Sequence, residues 1–186
     1  DHTAKIVDID FSKDEQFLAS ASWDHTIKIW NIKTGKVVKS IEGHDGPVNS
    51  VKFSDDGQHL YSAGYDGTIR YWRISDGQEV RTLVDNGWGI NVLTVDETEN
   101  LLLYGTIDGL MKLQTLNSKD VFLEIWEEGA PISALNYYPE YKKAVFGTMK
   151  GRIIFIDLFG MRVEKDFLAV DGPVWDVIYN LENESV

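Results

Sequence analysis

The chain has no cysteine and only four prolines among its 186 residues. The lack of cysteine excludes disulfides, thiolate nucleophiles and thiolate metal sites, and it leaves the redox compartment open. Apolar runs such as 101–104 and 153–156 have the length of strands and are too short to cross a bilayer. Basic residues are also scarce, since 18 Lys and Arg face 30 Asp and Glu. The resulting net charge of −12 argues against a nucleic-acid partner and against an anionic membrane surface.

What the sequence does contain is a period of 42 residues that runs through the whole chain without insertion or deletion. Related triplets recur in phase with it, at 46–48, 88–90, 130–132 and 172–174. Such a period is typical of repeats that each form one supersecondary unit and bury their faces only against neighbouring units. We predict a single domain over 1–186 that holds four repeats and the first strand of a fifth. The predicted units are about 1–42, 43–84, 85–126, 127–168 and a partial one over 169–186.

Each unit carries four short alternating patterns separated by turn signals. In the second unit these patterns lie at 47–53, 58–64, 68–72 and 78–83. Apolar and polar residues alternate with a period of two, and clusters of Gly, Asp, Asn and Ser recur every 8 to 12 residues. This combination indicates antiparallel hairpins rather than helices. The sequence therefore predicts an all-β chain built from four-stranded antiparallel sheets.

Two segments resemble the WD repeat, 43–72 through a Gly-His pair, a turn Asp and a Trp, and 1–31 through the same residues without the Gly. The resemblance is strong through the second unit and weaker afterwards. It implies a β-propeller, in which four-stranded blades surround a central channel. It also implies one buried hydrogen-bonded tetrad in each of the first two units. The expected tetrads are His2, Ser20, Asp24 and Trp30, and then His44, Ser62, Asp66 and Trp72.

The tetrads have the composition of a catalytic triad, but we expect them to be structural. In the implied arrangement Asp accepts from His and from turn amides, His reaches the Ser hydroxyl, and Ser accepts from the indole N–H. The Ser would be buried within a sheet, with no oxyanion donors beside it. The later units depart from the pattern. The corresponding residues are Asn86, Tyr104, Asp108 and Gln114 in the third unit, and Glu128, Phe146, Lys150 and Ile156 in the fourth.

The WD-repeat resemblance also implies where a partner would bind. One circular face collects the loops between units and the turns between second and third strands, and we call it the loop face. The residues just before the turn Asp position are large and apolar in all four units: Trp23, Tyr65, Ile107 and Met149. Polar residues are more usual at exposed hairpin tips, so these residues predict either a binding surface or side chains that pack inward. Further candidates lie at or beside the first strands: Asn49, Asn91, Trp88 and Trp175.

We expect no cofactor, no metal and no catalytic site in this chain. Two of the four histidines belong to the predicted tetrads, which leaves too few ligands for zinc. The acidic turns lack the spacing of a calcium loop, and the glycines of 86–90 precede no helix that could hold a phosphate. Among the strands expected to line the channel, the acids are Asp8, Asp10 and Asp176. These offer little to a propeller hydrolase or lyase.

The leading functional hypothesis is a non-enzymatic scaffold that binds a protein or peptide partner on the loop face. The alternative is the propeller portion of a larger multidomain protein, such as a bacterial c-type cytochrome fusion, with the chemistry outside this segment. A C-x-x-C-H motif would identify such a fusion, and this sequence has none. The compartment stays open, with a cytoplasmic location favoured over a periplasmic one.

Four blades and one strand do not complete a normal propeller ring. We consider three resolutions: a fragment of a longer chain, a homodimer that closes a roughly eight-bladed ring, or an unusually small closed ring. An open ring would leave apolar blade flanks uncovered, and the terminal units show no polar capping.

Overall fold

The computed structural model describes residues 1–118, 120–126 and 129–178. Within these ranges sixteen strands form four antiparallel sheets, each with its strands in chain order. The sole described helix is a 3₁₀ turn over Pro139–Tyr141. No helix in the described ranges has the length and apolarity that would be needed to cross a membrane. The all-β prediction is thus confirmed.

The sheets follow the 42-residue units. The first contains β1 (Ile6–Phe11), β2 (Phe17–Ser22), β3 (Ile27–Asn31) and β4 (Lys36–Ile41). The second contains β5 (Val48–Phe53), β6 (His59–Gly64), β7 (Thr68–Arg73) and β8 (Glu79–Asp85). The third contains β9 (Ile90–Asp96), β10 (Leu101–Thr106), β11 (Leu110–Thr115) and β12 (Val121–Trp126). The fourth contains β13 (Ile132–Tyr138), β14 (Lys143–Thr148), β15 (Arg152–Asp157) and β16 (Arg162–Leu168).

The alternating side chains of each strand serve two different interfaces. In β7, Ile69 and Tyr71 belong to the apolar cluster shared with the third sheet, whereas Trp72 belongs to the cluster shared with the first. Successive side chains of a strand point to opposite faces, so one strand can contribute to both interfaces. The sheets therefore pack face to face in chain order as blades, and the core lies between them rather than in one central mass.

Small residues near the end of each second strand make room for the following blade. The small residues are Ala21, Ala63, Gly105 and Gly147, and the residues of the next unit in the same clusters are Val48, Ile90, Ile132 and Val174. A β-carbon on Gly105 would collide with the side chain of Ile132. A β-carbon on Gly147 would lie 2.5 Å from Val174 Cγ1. Steric fit at this position therefore sets how closely consecutive blades approach.

Two aspartates of β1 fix the first blade to the second. Asp8 Oδ2 accepts from the Val51 amide at 3.0 Å and from Ser50 Oγ at 2.7 Å. Asp10 Oδ2 accepts from the Phe53 amide at 2.7 Å. These carboxylates, expected from the sequence to line the channel, are hydrogen-bonded to the backbone of the neighbouring inner strand.

The start of the fifth unit differs from the prediction in one respect. Residues 173–178 are not paired as a strand, because no second strand of that unit lies beside them in the described residues, and residues 179–186 lie outside that part of the chain. The segment nevertheless packs on the fourth blade, where Val174 and Val177 join a cluster with Ala134 and Val145. Ser133 Oγ donates to the Val174 carbonyl at 2.6 Å, and Asn136 Nδ2 donates to that of Val177 at 3.2 Å.

The four blades form an arc, and the described sheets do not close into a ring. At the free flank of the first blade, Ile9 and Phe11 are 48% and 54% exposed. Their counterparts one period later, Val51 and Phe53, pack in the cluster between the first two blades. The first blade thus presents an apolar flank of the kind that is covered at the following interfaces.

Candidate partner-binding face

The two predicted tetrads are formed, with nearly identical geometry. In the first blade, His2 Nδ1 lies 2.8 Å from Asp24 Oδ2 and His2 Nε2 lies 2.7 Å from Ser20 Oγ. Trp30 Nε1 donates to the same Ser20 oxygen at 2.7 Å. In the second blade, His44 Nδ1 lies 2.8 Å from Asp66 Oδ2 and His44 Nε2 lies 2.7 Å from Ser62 Oγ. Trp72 Nε1 donates to the same Ser62 oxygen at 2.7 Å.

The direction of these bonds follows from the chemistry of the carboxylate. An ionised Asp can only accept, so the imidazole Nδ1 donates to it, and Nε2 is left to accept from the Ser hydroxyl. Ser20 and Ser62 are fully buried between strands. Their hydroxyls are therefore committed to the relay, and the arrangement stabilises the turn rather than activating a nucleophile.

A threonine that the sequence analysis missed completes each relay. Thr68 donates to Asp66 Oδ1 from its amide at 3.0 Å and from its hydroxyl at 2.8 Å. Thr26 does the same to Asp24 at 3.1 and 2.7 Å. Both threonines lie two residues after the Asp, the spacing of an Asx turn, and that spacing could have identified them.

The relay lowers the pKa of both aspartates. Burial by itself would raise the pKa of Asp66, but hydrogen bonds from His44 and Thr68 and the attraction of His44 outweigh it, so the pKa falls well below its ordinary value. Burial of Asp24 is likewise outweighed, by hydrogen bonds from Thr26, from the Thr3 amide and from His2. Both carboxylates are therefore ionised at neutral pH and hold the turn amides as charged acceptors.

The third and fourth blades keep the turn without the relay. Tyr104 and Phe146 are buried where the first two blades have Ser. Thr106 and Thr148 cap their turns instead, accepting from the amides of Leu110 at 2.9 Å and Arg152 at 3.1 Å.

Remnants of the relay persist in the third blade, where Thr106 Oγ1 also donates to Asp108. Within the described residues, two buried polar atoms at the third blade's tetrad positions, Asn86 Nδ2 and Asp108 Oδ2, have no hydrogen-bond partner. The fourth blade's predicted counterpart of His44, Glu128, lies outside the described residues.

The residue before each turn is placed on the loop face by one recurring backbone bond. In each blade its amide donates to a carbonyl at the start of the innermost strand, at 2.8 to 2.9 Å: Trp23 to Lys5, Tyr65 to Pro47, Ile107 to Gly89, and Met149 to Pro131. The four side chains therefore occupy equivalent places along one edge of the arc.

Several of these side chains are open to solvent. Trp23 is 45% exposed, and Tyr65 and Trp88 are each 58% exposed. Trp175, in the fifth-unit segment, is 73% exposed, whereas Ile107 and Met149 are half-buried.

Part of this apolar surface is continuous. A β-carbon on Gly89 would lie 3.2 Å from Ile107 Cδ1 and 3.1 Å from the Tyr65 carbonyl oxygen. Trp88, next in the chain, has backbone atoms in contact with the Gly67 turn. Tyr65, Trp88 and Ile107 thus surround one loop between the second and third blades. We call Trp23, Tyr65 and Trp88 the aromatic edge.

The two predicted asparagines have their amides engaged between blades. Asn49 Nδ2 donates to the Ile90 carbonyl at 3.0 Å, and Asn91 Nδ2 donates to the Ile132 carbonyl at 2.9 Å. Ser133 makes the equivalent bond to Val174 in the next unit. These hydrogen bonds link consecutive inner strands, so the side-chain amides of Asn49 and Asn91 have a structural role.

No group of three or more histidine and carboxylate side chains that could hold a metal ion occurs in the parts of the chain that the structure describes. The loop face instead offers aromatic rings, exposed carboxylates and a lysine. Lys5 places its ammonium 5.1 Å from the centre of the Trp23 ring, a cation–π contact that the sequence analysis did not foresee.

Comparison with known proteins agrees with this geometry. The family described as "WD domain, G-beta repeat" matches residues 1–31 and 35–73, the segments that contain the two tetrads. Residues 1–31 and 35–73 are therefore similar in sequence to WD40 repeats, and they form the first two blades. The remaining blades share the sheet order and the period of the first two.

Two curated relatives match short stretches. Mitochondrial division protein 1 of Mycosarcoma maydis is 40% identical over 48 residues, which are 26% of this chain and 6% of that protein. The Peroxisomal targeting signal 2 receptor of Mus musculus is 33% identical over 52 residues, which are 27% of this chain and 16% of that protein. The matches thus span less than a fifth of either relative.

Proposed function

We propose that this chain is a non-enzymatic WD40 scaffold that binds a protein or peptide partner on its loop face. The main support is the aromatic edge, where Trp23, Tyr65 and Trp88 are about half exposed on consecutive blades. Exposed Trp and Tyr at the centre of a surface are the usual energetic anchors of protein interfaces. The mouse relative is named as a receptor for a targeting signal, and a binding role for this chain is in line with that name.

A structural role for the tetrads supports the non-enzymatic half of the proposal. The seryl hydroxyls are buried and hydrogen-bonded on both sides, and access to a substrate would require opening the blade. An exposed aromatic edge with a buried polar relay beneath it fits a rigid platform for binding.

Site-specific photo-crosslinking tests the proposal. A photoreactive residue replaces Tyr65 on the loop face, and a matched control carries it at Tyr141, which is similarly exposed on the opposite edge, in the turn before β14. In extract from the source cells, discrete protein adducts are expected from position 65 and not from position 141. Adducts of equal pattern from both positions, or none from position 65, would contradict a dedicated loop-face site.

A second measurement separates binding from packing at the same residues. The double variant Trp23→Ser, Tyr65→Ser should keep the melting temperature of the parent within a few degrees and lose the adducts formed through a crosslinker at position 88. A fall of more than about ten degrees would correspond to several kcal/mol and would assign these side chains to packing instead.

We also propose that further propeller blades, rather than a second copy of this chain, complete the ring. The fifth-unit segment already occupies the flank of the fourth blade through Val174 and Val177. A homodimeric ring of about eight blades would require β1 of the second copy to displace it. Light scattering should therefore report a monomer or irregular aggregates, and a discrete, stable dimer would contradict this part of the proposal.

A further inference from the structure

We propose that the loop face recognises a cationic polypeptide segment, in which Lys or Arg side chains are interspersed with apolar ones. This inference rests on the proposed function and specifies the chemistry of the partner. It combines two features of the same face: aromatic rings open to solvent, and exposed carboxylates in the loops between blades.

The aromatic edge already accommodates one cation. The Lys5 ammonium lies 5.1 Å from the centre of the Trp23 ring, so the geometry of this face allows an ammonium to approach an indole. Tyr65 and Trp88 present rings that are even more exposed than Trp23. A cation held over such a ring gains about 0.5–1 kcal/mol at an exposed site, and apolar side chains of the same segment can pack between the rings.

Exposed carboxylates accompany the aromatic residues in the loops between blades. Asp45 lies two residues before Pro47, whose carbonyl holds the Tyr65 amide, and its side chain is 91% exposed. Its nearest described cation, Arg70, is 3.9 Å away and makes closer contacts with Glu79 at 2.9 Å and Asp66 at 3.5 Å. The carboxylate of Asp45 is thus largely available to a partner.

The same pairing recurs in two further loops. Asp85 is exposed at the end of β8, three residues before Trp88. Asp171 is exposed four residues before Trp175. Carboxylates at the rim of an apolar patch favour partners of opposite charge and speed their association. The overall charge of −12 acts in the same direction.

The fourth blade places a cation in its turn on the loop face. Lys150 stands at the turn position that is Asp24, Asp66 and Asp108 in the earlier blades. The cationic part of the partner is therefore expected over the second and third blades, close to Asp45 and Asp85, with a smaller contribution from Asp171.

Selection from a random 12-residue peptide display library tests the inference on the full chain. Peptides are selected on the parent protein and counter-selected on a Trp23→Ser, Tyr65→Ser, Trp88→Ser variant, so that only loop-face binders remain. We expect the selected peptides to contain at least about three times as many Lys and Arg as Asp and Glu, together with apolar residues. Their affinity should fall about five- to tenfold between 50 and 500 mM salt, because screening weakens exposed charge pairs.

A pair of charge-matched variants then locates the contribution. The loop-face variant Asp45→Asn, Asp85→Asn, Asp171→Asn should bind the selected peptides about tenfold more weakly. The control Asp55→Asn, Asp76→Asn, Glu140→Gln removes the same number of charges from exposed positions in turns at the opposite edge and should bind within about twofold of the parent.

The possible outcomes separate the inference from the function beneath it. Selected peptides that are apolar without a cationic excess, or equal losses in the two triple variants, would overturn the cationic specificity and leave a peptide-binding loop face. Failure to select any peptide that depends on the three aromatic residues would overturn both.

Discussion

The first two blades and the last two have the same strand order but hold their central turns by different chemistry. In the first and second blades a charged Asp accepts hydrogen bonds from amides, a histidine and a threonine, and the relay continues to the indole of Trp30 or Trp72. In the third and fourth blades a threonine hydroxyl caps the turn, and Tyr104 or Phe146 fills the interior. A blade therefore needs a capped turn and a filled core, and the polar relay is one of two ways to supply them.

This difference also explains why the WD40 family match ends at residue 73. The sequence signature of the family consists largely of the relay residues, which the later blades have replaced. In the fourth blade the Ser and Trp positions of the relay hold the buried apolar residues Phe146 and Ile156, and replacing a buried polar network by packing can be neutral in energy, so the blade geometry persists.

The largest expected contrast comes from removing the turn Asp in one half and its counterpart in the other. Asp66→Ala leaves His44 Nδ1, the Asp45 amide and the Thr68 amide and hydroxyl without their acceptor, so we expect a loss of about 3–5 kcal/mol in the free energy of unfolding. Lys150→Ala, 84 residues later, should change it by less than about 1 kcal/mol. Urea unfolding measures both, and losses of similar size would disprove the proposed contrast.

A smaller contrast concerns the close approach of consecutive blades. The first two blades already have Ala21 and Ala63 where the third has Gly105, and a β-carbon there would collide with Ile132. Gly105→Ala should cost about 1–3 kcal/mol by overpacking.

Shortening the side chain of Ile132, which the new β-carbon would contact, provides the control. Ile132→Ala removes Cγ1 and Cγ2, two of the three atoms that the added β-carbon would meet, so it should cost less in the Gly105→Ala background than in the parent chain, and a double-mutant cycle would report the coupling. Strictly additive effects of the two changes would mean that the contact does not limit the approach of the blades.

Hydroxyl caps should matter equally in both halves, although they come from different positions. Thr68→Val removes the hydroxyl that donates to Asp66, and Thr106→Val removes the one that accepts from the Leu110 amide. Each change conserves shape but removes at least two hydrogen bonds, since the Thr68 hydroxyl also accepts from Arg70 Nε and the Thr106 hydroxyl also donates to Asp108, so each should cost about 1–3 kcal/mol in thermal or urea unfolding. A neutral Thr106→Val would show that the third blade does not depend on its cap.

The last difference between the two halves lies in their response to acid. The folded pKa values of Asp24 and Asp66 lie below the ordinary value of 3.8, so the folded state favours the ionised forms. The stability they provide is complete above the ordinary pKa and is lost as the pH falls through the lower folded values.

Unfolding free energies measured from pH 6 to pH 2 should therefore decline in acid for the parent chain. The decline should be shallower for the variant Asp24→Asn, Asp66→Asn, which has already lost these two titrations. An unchanged acid dependence in that variant would place the acid-sensitive groups outside the relays.

The strand pattern could be predicted because it is periodic in the sequence, and the relay because two segments resemble the WD repeat. The second unit's predicted strands at 47–53 and 58–64 agree with Val48–Phe53 and His59–Gly64 to within one residue at either end. The positions of the aromatic edge were implied by the same resemblance, and their role in binding stays a prediction.

Other features depend on direction and distance, which a period does not encode. The sequence could not show that the side-chain amide of Asn49 donates to the Ile90 carbonyl of the next blade. Asp8 and Asp10 were expected to line the channel, but the sequence could not show that their carboxylates accept hydrogen bonds from backbone amides of the second blade. The fifth-unit segment has the composition of a strand, but pairing requires a neighbour as well as a suitable sequence.

The hydrogen bonds from the side-chain amides of Asn49 and Asn91 affect how far the sequences of the units can diverge. Each side chain belongs to one unit, while its acceptor is a main-chain carbonyl of the next. Every residue type supplies that carbonyl, so the following unit can exchange its side chains without breaking the link. The hydrogen bond between the two units therefore tolerates mutations in the unit that supplies the carbonyl. A duplicated unit can stay bonded to its neighbour while its own interior changes from polar to apolar.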